Sequence, residues 1–250
     1  MLDIHFLSKE FNKGTPDAHL ALNQFSMKVT DGEFVTLLGG NGSGKSTLFN
    51  LIAGSIFPDS GTIRLEDKDI TFLPEHRRAL LIGRVFQNPL TGTAPNMTIE
   101  ENLAISYMRG TGRSLLHRTT KQDRTFFREQ LYALGLGLEN RMNTRIGLLS
   151  GGQRQAITLL MATMVKPKLL LLDEHTAALD PQSAVRVTEL TERIIAEGKI
   201  TTIMVTHSIG TALHTGSRLM LLDGGRIAMD IQGEARQKIT RQELLDSYAH

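Results

Sequence analysis

Apolar positions along this chain follow two periods. Residues 2–7 and 20–29 are short strand-like runs separated by the turn residues Gly14-Thr15-Pro16-Asp17. Asp31-Gly32 gives a hairpin-type signal before a third run, Phe34-Val35-Thr36-Leu37-Leu38. The helix-forming segment Thr47–Ile52 is expected to end near Gly54, with Pro58 beyond it, and Gly61–Leu65 reads as another strand. An apolar run at 80–86 stops at Gln87-Asn88-Pro89, after which the period changes to that of helices. Thr98-x-x-Glu101 has the spacing of a capping box ahead of Leu103, Ile105 and Tyr107, and residues 121–134 carry a second amphipathic pattern. Strand–helix alternation returns at Lys168: the buried-strand run Leu169–Leu172, a helix after Pro181, a strand at Ile200–Val205 and a hairpin through Asp223-Gly224-Gly225. The pattern predicts an α/β fold with a mostly parallel sheet flanked by helices, an antiparallel β region at the N-terminus and a helical insert. No linker separates independent domains. The expected division is a core of 1–89 and 157–250 and a helical subdomain of 90–156.

The chemistry begins where the third strand ends. Residues 39–47 read GGNGSGKST, with the spacing Gly39-x4-Gly44-Lys45-Ser46 between a strand and a helix. Glycines there allow backbone N–H groups to turn toward phosphate oxygens, the helix start adds its partial positive charge, and Lys45 reaches the β/γ-phosphates. Ser46 is placed to ligate Mg²⁺, and Asn41, Gly42, Ser43 and Thr47 complete the cradle. The run Leu169–Leu172 ends in Asp173-Glu174, two carboxylates at the carboxyl end of a strand, where open parallel sheets bind ligands. Asp173 is the expected Mg²⁺ partner, either directly or through an intervening ligand, and Glu174 the group that polarises an attacking water. Ser150-x-x-Gln153 is a second capping box, and its two glycines, Gly151 and Gly152, permit close approach to an anion. One chain thus has two phosphate-type helix starts, which suggests that two copies each contribute half a site.

Composition changes this picture little. Hydrophobic residues make up 40% and charged residues 22% of 250, ordinary values for a globular chain. The formal net charge of +2 gives no argument for nucleic acid. The basic stretch Arg109, Arg113, Arg118, Lys121, Arg124 reads as a solvated loop and helix face. Without a cysteine there is no disulfide, Fe–S ligation or thiolate zinc site, which suits a reducing compartment. No stretch approaches the ~20 apolar residues needed to cross a bilayer, so membrane work would go through a partner.

These motifs, in this order, resemble the nucleotide-binding subunit of ABC transporters over essentially the whole chain. Gly39–Thr47 matches Walker A, Gln87 the Q-loop, Leu149–Gln153 the signature, Leu169–Glu174 Walker B, Ala178-Leu179-Asp180 the D-loop and His207 the switch histidine. The resemblance implies a P-loop NTPase core that binds ATP and Mg²⁺. In it Gln87 would sense the metal and the water, Glu174 would act as base, His207 would contact the γ-phosphate, and Phe11 would stack on adenine. Phe11 also reads as a strand-end core residue. His175 stands where the family usually has proline and reads as a loop variant. The family further implies a head-to-tail dimer, integral-membrane permease subunits docked on the insert (Asn96–Glu100 is the candidate edge), a separate substrate-binding protein, and a peripheral place on the cytoplasmic face of the membrane. Solute import, of amino acids in particular, is the expected function. The alternatives are a soluble ABC ATPase for macromolecular or cluster assembly and a non-hydrolysing nucleotide-binding scaffold.

Overall fold

The computed structural model describes residues 1–111 and 119–248, so Arg113 and Arg118 of the basic stretch lie outside the described residues. The elements run β1 (Leu2–Phe11), β2 (His19–Val29), β3 (Phe34–Gly39), α1 (Lys45–Ala53), β4 (Ser60–Leu65), β5 (Lys68–Asp69), α2 (Glu75–Arg78), β6 (Ile82–Val85), α3 (Ile99–Thr111), α4 (Lys121–Ala133), α5 (Gly151–Thr163), β7 (Leu169–Asp173), α6 (Pro181–Gly198), β8 (Thr202–Thr206), α7 (Ile209–His214), β9 (Arg218–Asp223), β10 (Arg226–Gln232), α8 (Gly233–Lys238) and α9 (Arg241–Tyr248). Two compact units share the chain. The first holds 1–82, 168–174 and 199–250; the second holds 83–167 and 175–198.

In the first unit β1 pairs antiparallel with β2 and with β4, giving the order β2-β1-β4-β5. A second sheet places β3 between β8 and β9, parallel to both, with β7 parallel to β8 and β10 antiparallel to β9. Every residue of β3 and β8 is buried, and alternate residues serve different clusters. Val35 and Leu37 of β3, Ile203 and Val205 of β8, and Met220 and Leu222 of β9 join the large core with α1. Leu38, Leu219 and Leu221 face the opposite way, onto Ala212 of α7 and Leu244 of α9. A parallel strand covered on both faces must be apolar at successive positions, which is why these segments read as continuous runs rather than alternations. From α1 the core takes Leu48, Phe49, Leu51 and Ile52, each fully buried, a gain of about 1.5–3 kcal/mol per side chain.

Asp31-Gly32 does not make a hairpin. It joins β2, whose partner is β1, to β3, whose partners are β8 and β9. The turn is real, but β3 is buried along its whole length between β8 and β9, and packing overrides the local hairpin signal.

The second unit is built on α3, α4, α5 and α6. Thr98 and Glu101 form the expected reciprocal cap: Glu101 accepts from the Thr98 N–H and hydroxyl at 2.7 and 2.8 Å. Tyr107, Phe126 and Phe127 cluster between α3 and α4, with ring centroids 5.2–6.1 Å apart. Arg109 and Lys121 are exposed, and Arg124 pairs with Glu100 at 2.6 Å, so the described part of the basic stretch is a helix surface. Of the Asn96–Glu100 edge, Asn96 is exposed and Ile99 buried. The backbone there is tied to the segment after α4, with Glu100 N donating to Met142 O and Ile146 N to Met97 O.

His175 opens the second stretch of this unit. Its ring is buried, with Nε2 3.1 Å from the Thr191 hydroxyl of α6. Because Thr191 already donates to Val187 O at 2.7 Å, it accepts from His175, which fixes the Nε2–H tautomer. Burial pushes the His175 pKa down to about 4. An unfolded histidine takes a proton near 6.5, so between those values the unfolded chain binds more protons and stability falls as pH drops from about 6.5 toward 4; above 6.5 the effect is flat. Urea titrations are expected to show that His175→Pro flattens this slope, by at most ~1.4 kcal/mol per pH unit. Parallel slopes for the two proteins would contradict a neutral buried ring.

Candidate functional site

The loop between β3 and α1 is held in place by its neighbours. A Cβ at Gly39 would lie 2.6 Å from both Leu222 O and Ser43 Oγ. Gly44, with φ +104°, leaves no room either, since a Cβ there would sit 2.5 Å from Ala21 O. The turn between β9 and β10 supports the loop from behind: Gly225 N donates to Ser43 O at 3.1 Å, and Asn23 N to Gly225 O at 3.1 Å. Gly224-Gly225 read only as a hairpin turn; its second role depends on strand order, which no local pattern encodes. The N-cap of α1 is Gly44, which offers no side chain, and the first turn carries no acidic residue. The first amides of the helix therefore keep their hydrogen-bonding capacity, together with the positive end of the helix dipole.

Lys45 is buried, and its Nζ donates to Gly39 O at 2.8 Å, Gly40 O at 2.6 Å and Ser43 Oγ at 3.3 Å. Desolvation pulls its pKa down, opposed by the carboxylates of Glu174 and Asp173. A poorly hydrated ammonium at the start of a bare helix favours an anion beside it.

Asp173 ends β7 and Glu174 follows with φ +44°, a conformation a non-glycine residue adopts only when its surroundings impose it. Glu174 N donates to Val205 O of β8 at 3.1 Å, and Glu174 Oε2 lies 3.0 Å from His207 Nδ1. Glu174 and Lys45 line one recess of about 190 Å³ with Asn41, Gly42, Gly44, Ser46, Thr47, Phe11, His19 and Ala21. Phe11 thus stands at a partly open recess, 37% exposed, and outside the core. Sequence reasoning missed His19 and Ala21, which arrive through strand register: His19 is the direct partner of Phe11 across β1 and β2. The donor set suits Mg²⁺ bound mainly by its substrate, because Ser46 offers a hydroxyl and Asp173 a carboxylate, both hard oxygens. Among the described residues no cluster of three His, Cys, Asp or Glu would hold a metal unaided.

The other predicted residues belong to the second unit. Gln87 is exposed just after β6. Ser150 caps α5: its Oγ accepts from Gln153 N at 3.3 Å, and Gln153 Oε1 accepts from Ser150 N at 3.2 Å. Gly152 is a packing residue as well, since a Cβ there would meet Ser183 Cβ of α6 at 2.9 Å. Ser150, Gly152 and Gln153 line a groove of about 730 Å³ with Ser183, Arg186 and Arg193 of α6. Gly151 precedes Gly152 in the first turn of α5, where a Cβ would have Leu179 at 3.2 Å. Asp180 caps α6, accepting from Ser183 N at 3.0 Å, and that backbone hydrogen bond holds its carboxyl below the usual range. The Pro181 that follows suits the first helical position.

Comparison with known proteins agrees with this geometry. Residues 22–177 match the model of the ABC transporter family. The chain is 40% identical over 254 residues to a tyrosine transport ATP-binding protein of Clostridioides difficile, covering 100% of this chain and 99% of that one. It is 34% identical to a high-affinity branched-chain amino acid transport ATP-binding protein of Pseudomonas aeruginosa, covering 91% and 92%. Among solved structures, a dimeric ATP-binding cassette in a post-hydrolysis state with ADP and Pi superposes with a TM-score of 0.78 at 27% identity, over 93% of this chain and 98% of that one. A bare helix start behind a buried lysine, a glutamate in the same recess paired with a histidine, and these relatives lead to one conclusion: the chain belongs to the ABC transporter family, as an ATP-binding and ATP-hydrolysing subunit.

Proposed function

We propose that this chain is the motor of an importer, driving solute, an amino acid in particular, through separate integral-membrane permease subunits, with a separate substrate-binding protein delivering the cargo. The names of the two transport relatives support the solute class. Among the described residues no helix is long and apolar enough to cross a membrane, which agrees with a subunit bound peripherally at the cytoplasmic face. The helical unit, with Asn96 at its exposed edge, is the docking region for the permease.

One observation carries the catalytic reading: the bare start of α1, Lys45 and Glu174 line one recess of the first unit, and His207 pairs with Glu174. Phe11 offers its ring to adenine at the open side. The amides of Gly42, Gly44, Lys45, Ser46 and Thr47 bind phosphate oxygens, and Lys45 exchanges its carbonyl partners for the β/γ-phosphates. Ser46 and Asp173 would hold Mg²⁺, which when bound neutralises phosphate charge. Glu174 accepts the proton of a water whose oxygen bonds to the γ-phosphorus as the bond to the bridging oxygen breaks, giving ADP and inorganic phosphate. His207 holds the Glu174 carboxylate in orientation and reaches the γ-phosphate. Ser150, Gly151, Gly152 and Gln153, with Asp180, close the cradle of a second copy in a head-to-tail dimer. The amides of Gly151 and Gly152 remain for phosphate because the Ser150–Gln153 cap uses other groups.

Glu174→Gln is expected to keep ATP binding while turnover falls by roughly 10²–10⁴, the range for a lost general base. Near-normal hydrolysis would remove Glu174 from that role.

The dimer reading is tested by mixing. Ser150→Arg and Lys45→Ala homodimers are each expected to be inactive, yet their heterodimer has one composite site with both lesions and one with neither, so activity returns. If each signature served its own chain, every site would keep one lesion and the mixture would stay inactive.

A further inference from the structure

Both ends of α1 are held, by different chemistry. At the C-terminal end Gly54 turns the chain with φ +83°, and Gly54 N and Ser55 N donate to Asn50 O at 2.9 and 3.0 Å. Two further carbonyls of the last turn, Leu51 O and Ile52 O, accept from Nη1 of Arg78 at 2.6 and 2.9 Å. The same guanidinium donates from Nε to Leu73 O at 2.6 Å and from Nη2 to Thr71 O at 2.9 Å. Arg78 is 0% exposed, and its hydrogen-bond partners are four backbone carbonyls rather than a carboxylate. Burial draws its pKa down to about 10, with Asp69 opposing from a distance.

A charge this deep is costly to desolvate, and an apolar side chain of similar volume would fill the same space. What the apolar chain would lack is direction. Leu48, Phe49, Leu51 and Ile52 press α1 against the core, but apolar contact is non-directional and resists separation more than sliding along the axis. The guanidinium fork is planar and takes acceptors only along fixed lines, so it sets how far α1 stands along its own axis. The other end of that axis, roughly 13 Å away for nine residues, carries Lys45 and the amides of the cradle. Gly54 belongs to the same lock, since a Cβ there would lie 2.7 Å from Arg78 Nε.

We propose that Arg78 is a positioning residue for nucleotide phosphate, holding the first turn of α1 within hydrogen-bond range of the ligand from the far end of the helix. The inference rests on the reading of the α1 start as the phosphate cradle.

The test measures binding of a fluorescent ATP analogue to the full-length chain, well below each variant's melting temperature, with Leu65→Ala as a control that weakens the buried core of β4. Arg78→Met is expected to raise Kd about tenfold, the scale of a sub-ångström misplacement. Arg78→Lys, which restores charge without the fork, should fall between Arg78→Met and the wild type. Leu65→Ala, at a comparable loss of melting temperature, should stay within about twofold of wild type. In steady state, KM for ATP rises more than kcat falls. Wild-type affinity in Arg78→Met, or an equal loss in Leu65→Ala, overturns the proposal. If Arg78→Met does not fold, Arg78→Lys against Leu65→Ala decides by the same criterion. Lys45→Ala separates the two readings: its normal binding would refute the cradle itself, whereas lost binding there beside normal binding in Arg78→Met refutes only the role of Arg78.

Discussion

A helix that begins with unpaired amides is the constraint around which the first unit is arranged. Most helices satisfy those groups with a serine, threonine or aspartate; α1 begins at a glycine with no side chain to offer. Stability lost at that end has to come from elsewhere. It comes from a helix face buried completely against β3, β7, β8 and β9, and from a loop braced by Gly225 and Ala21. Lys45 occupies the carbonyls of its own loop, which satisfies the ammonium without neutralising the amides beside it. The neighbouring carboxylates come from strand ends, where the parallel sheet fixes their backbone, and the positive φ of Glu174 shows how firmly that is done.

Much of this was legible in the chain, for identifiable reasons. Strands buried on both faces are continuous apolar runs, so β3, β7 and β8 stood out, and the acidic pair after Leu172 marked a strand end. The caps Thr98–Glu101 and Ser150–Gln153 are local in sequence and therefore readable. Partners brought by topology were not. Nothing near Asn23 or Gly225 announces that they support the loop at 39–47, and His19 reaches the recess only because β2 runs antiparallel to β1 in one register. Asp31-Gly32 shows the converse: a correct turn signal says nothing about which sheet the next strand joins. Arg78 was invisible for a similar reason, since the two acceptors that tie it to α1 lie 26 and 27 residues earlier in the chain.

Residues that look dedicated to ligand also hold their own helices. Ser150 and Gln153 are a complete reciprocal cap, Asp180 caps α6, and Gly152 lets α6 approach α5. Substitution at any of them removes two things at once, so lost activity alone does not measure ligand contact. His175 is the opposite case. A residue expected to be an incidental loop variant is buried and tied to Thr191; where a proline would restrict the backbone directly, the ring anchors the segment through its side chain.

The placement of cations follows from the same electrostatics. α7 begins just beyond His207, at the N-cap Ser208, and its C-terminal carbonyls Ala212 O and Leu213 O accept from the buried Arg236, as those of α1 accept from Arg78. In both helices the near end leads to a site residue and the far end is held by an arginine on backbone oxygens. The alternative, stabilising the near end with an acidic cap, would place a carboxylate where the proposed anionic ligand sits and repel it. A cation at the far end complements the negative pole of the helix; in α1 it leaves the positive pole open, while in α7 the neutral Ser208 hydroxyl caps that pole by accepting from Thr211 N. Under the proposed reading, α1, whose start has no side-chain cap, is anchored from behind by Arg78, whereas α5 keeps a neutral Ser150–Gln153 cap that leaves the Gly151 and Gly152 amides to the ligand.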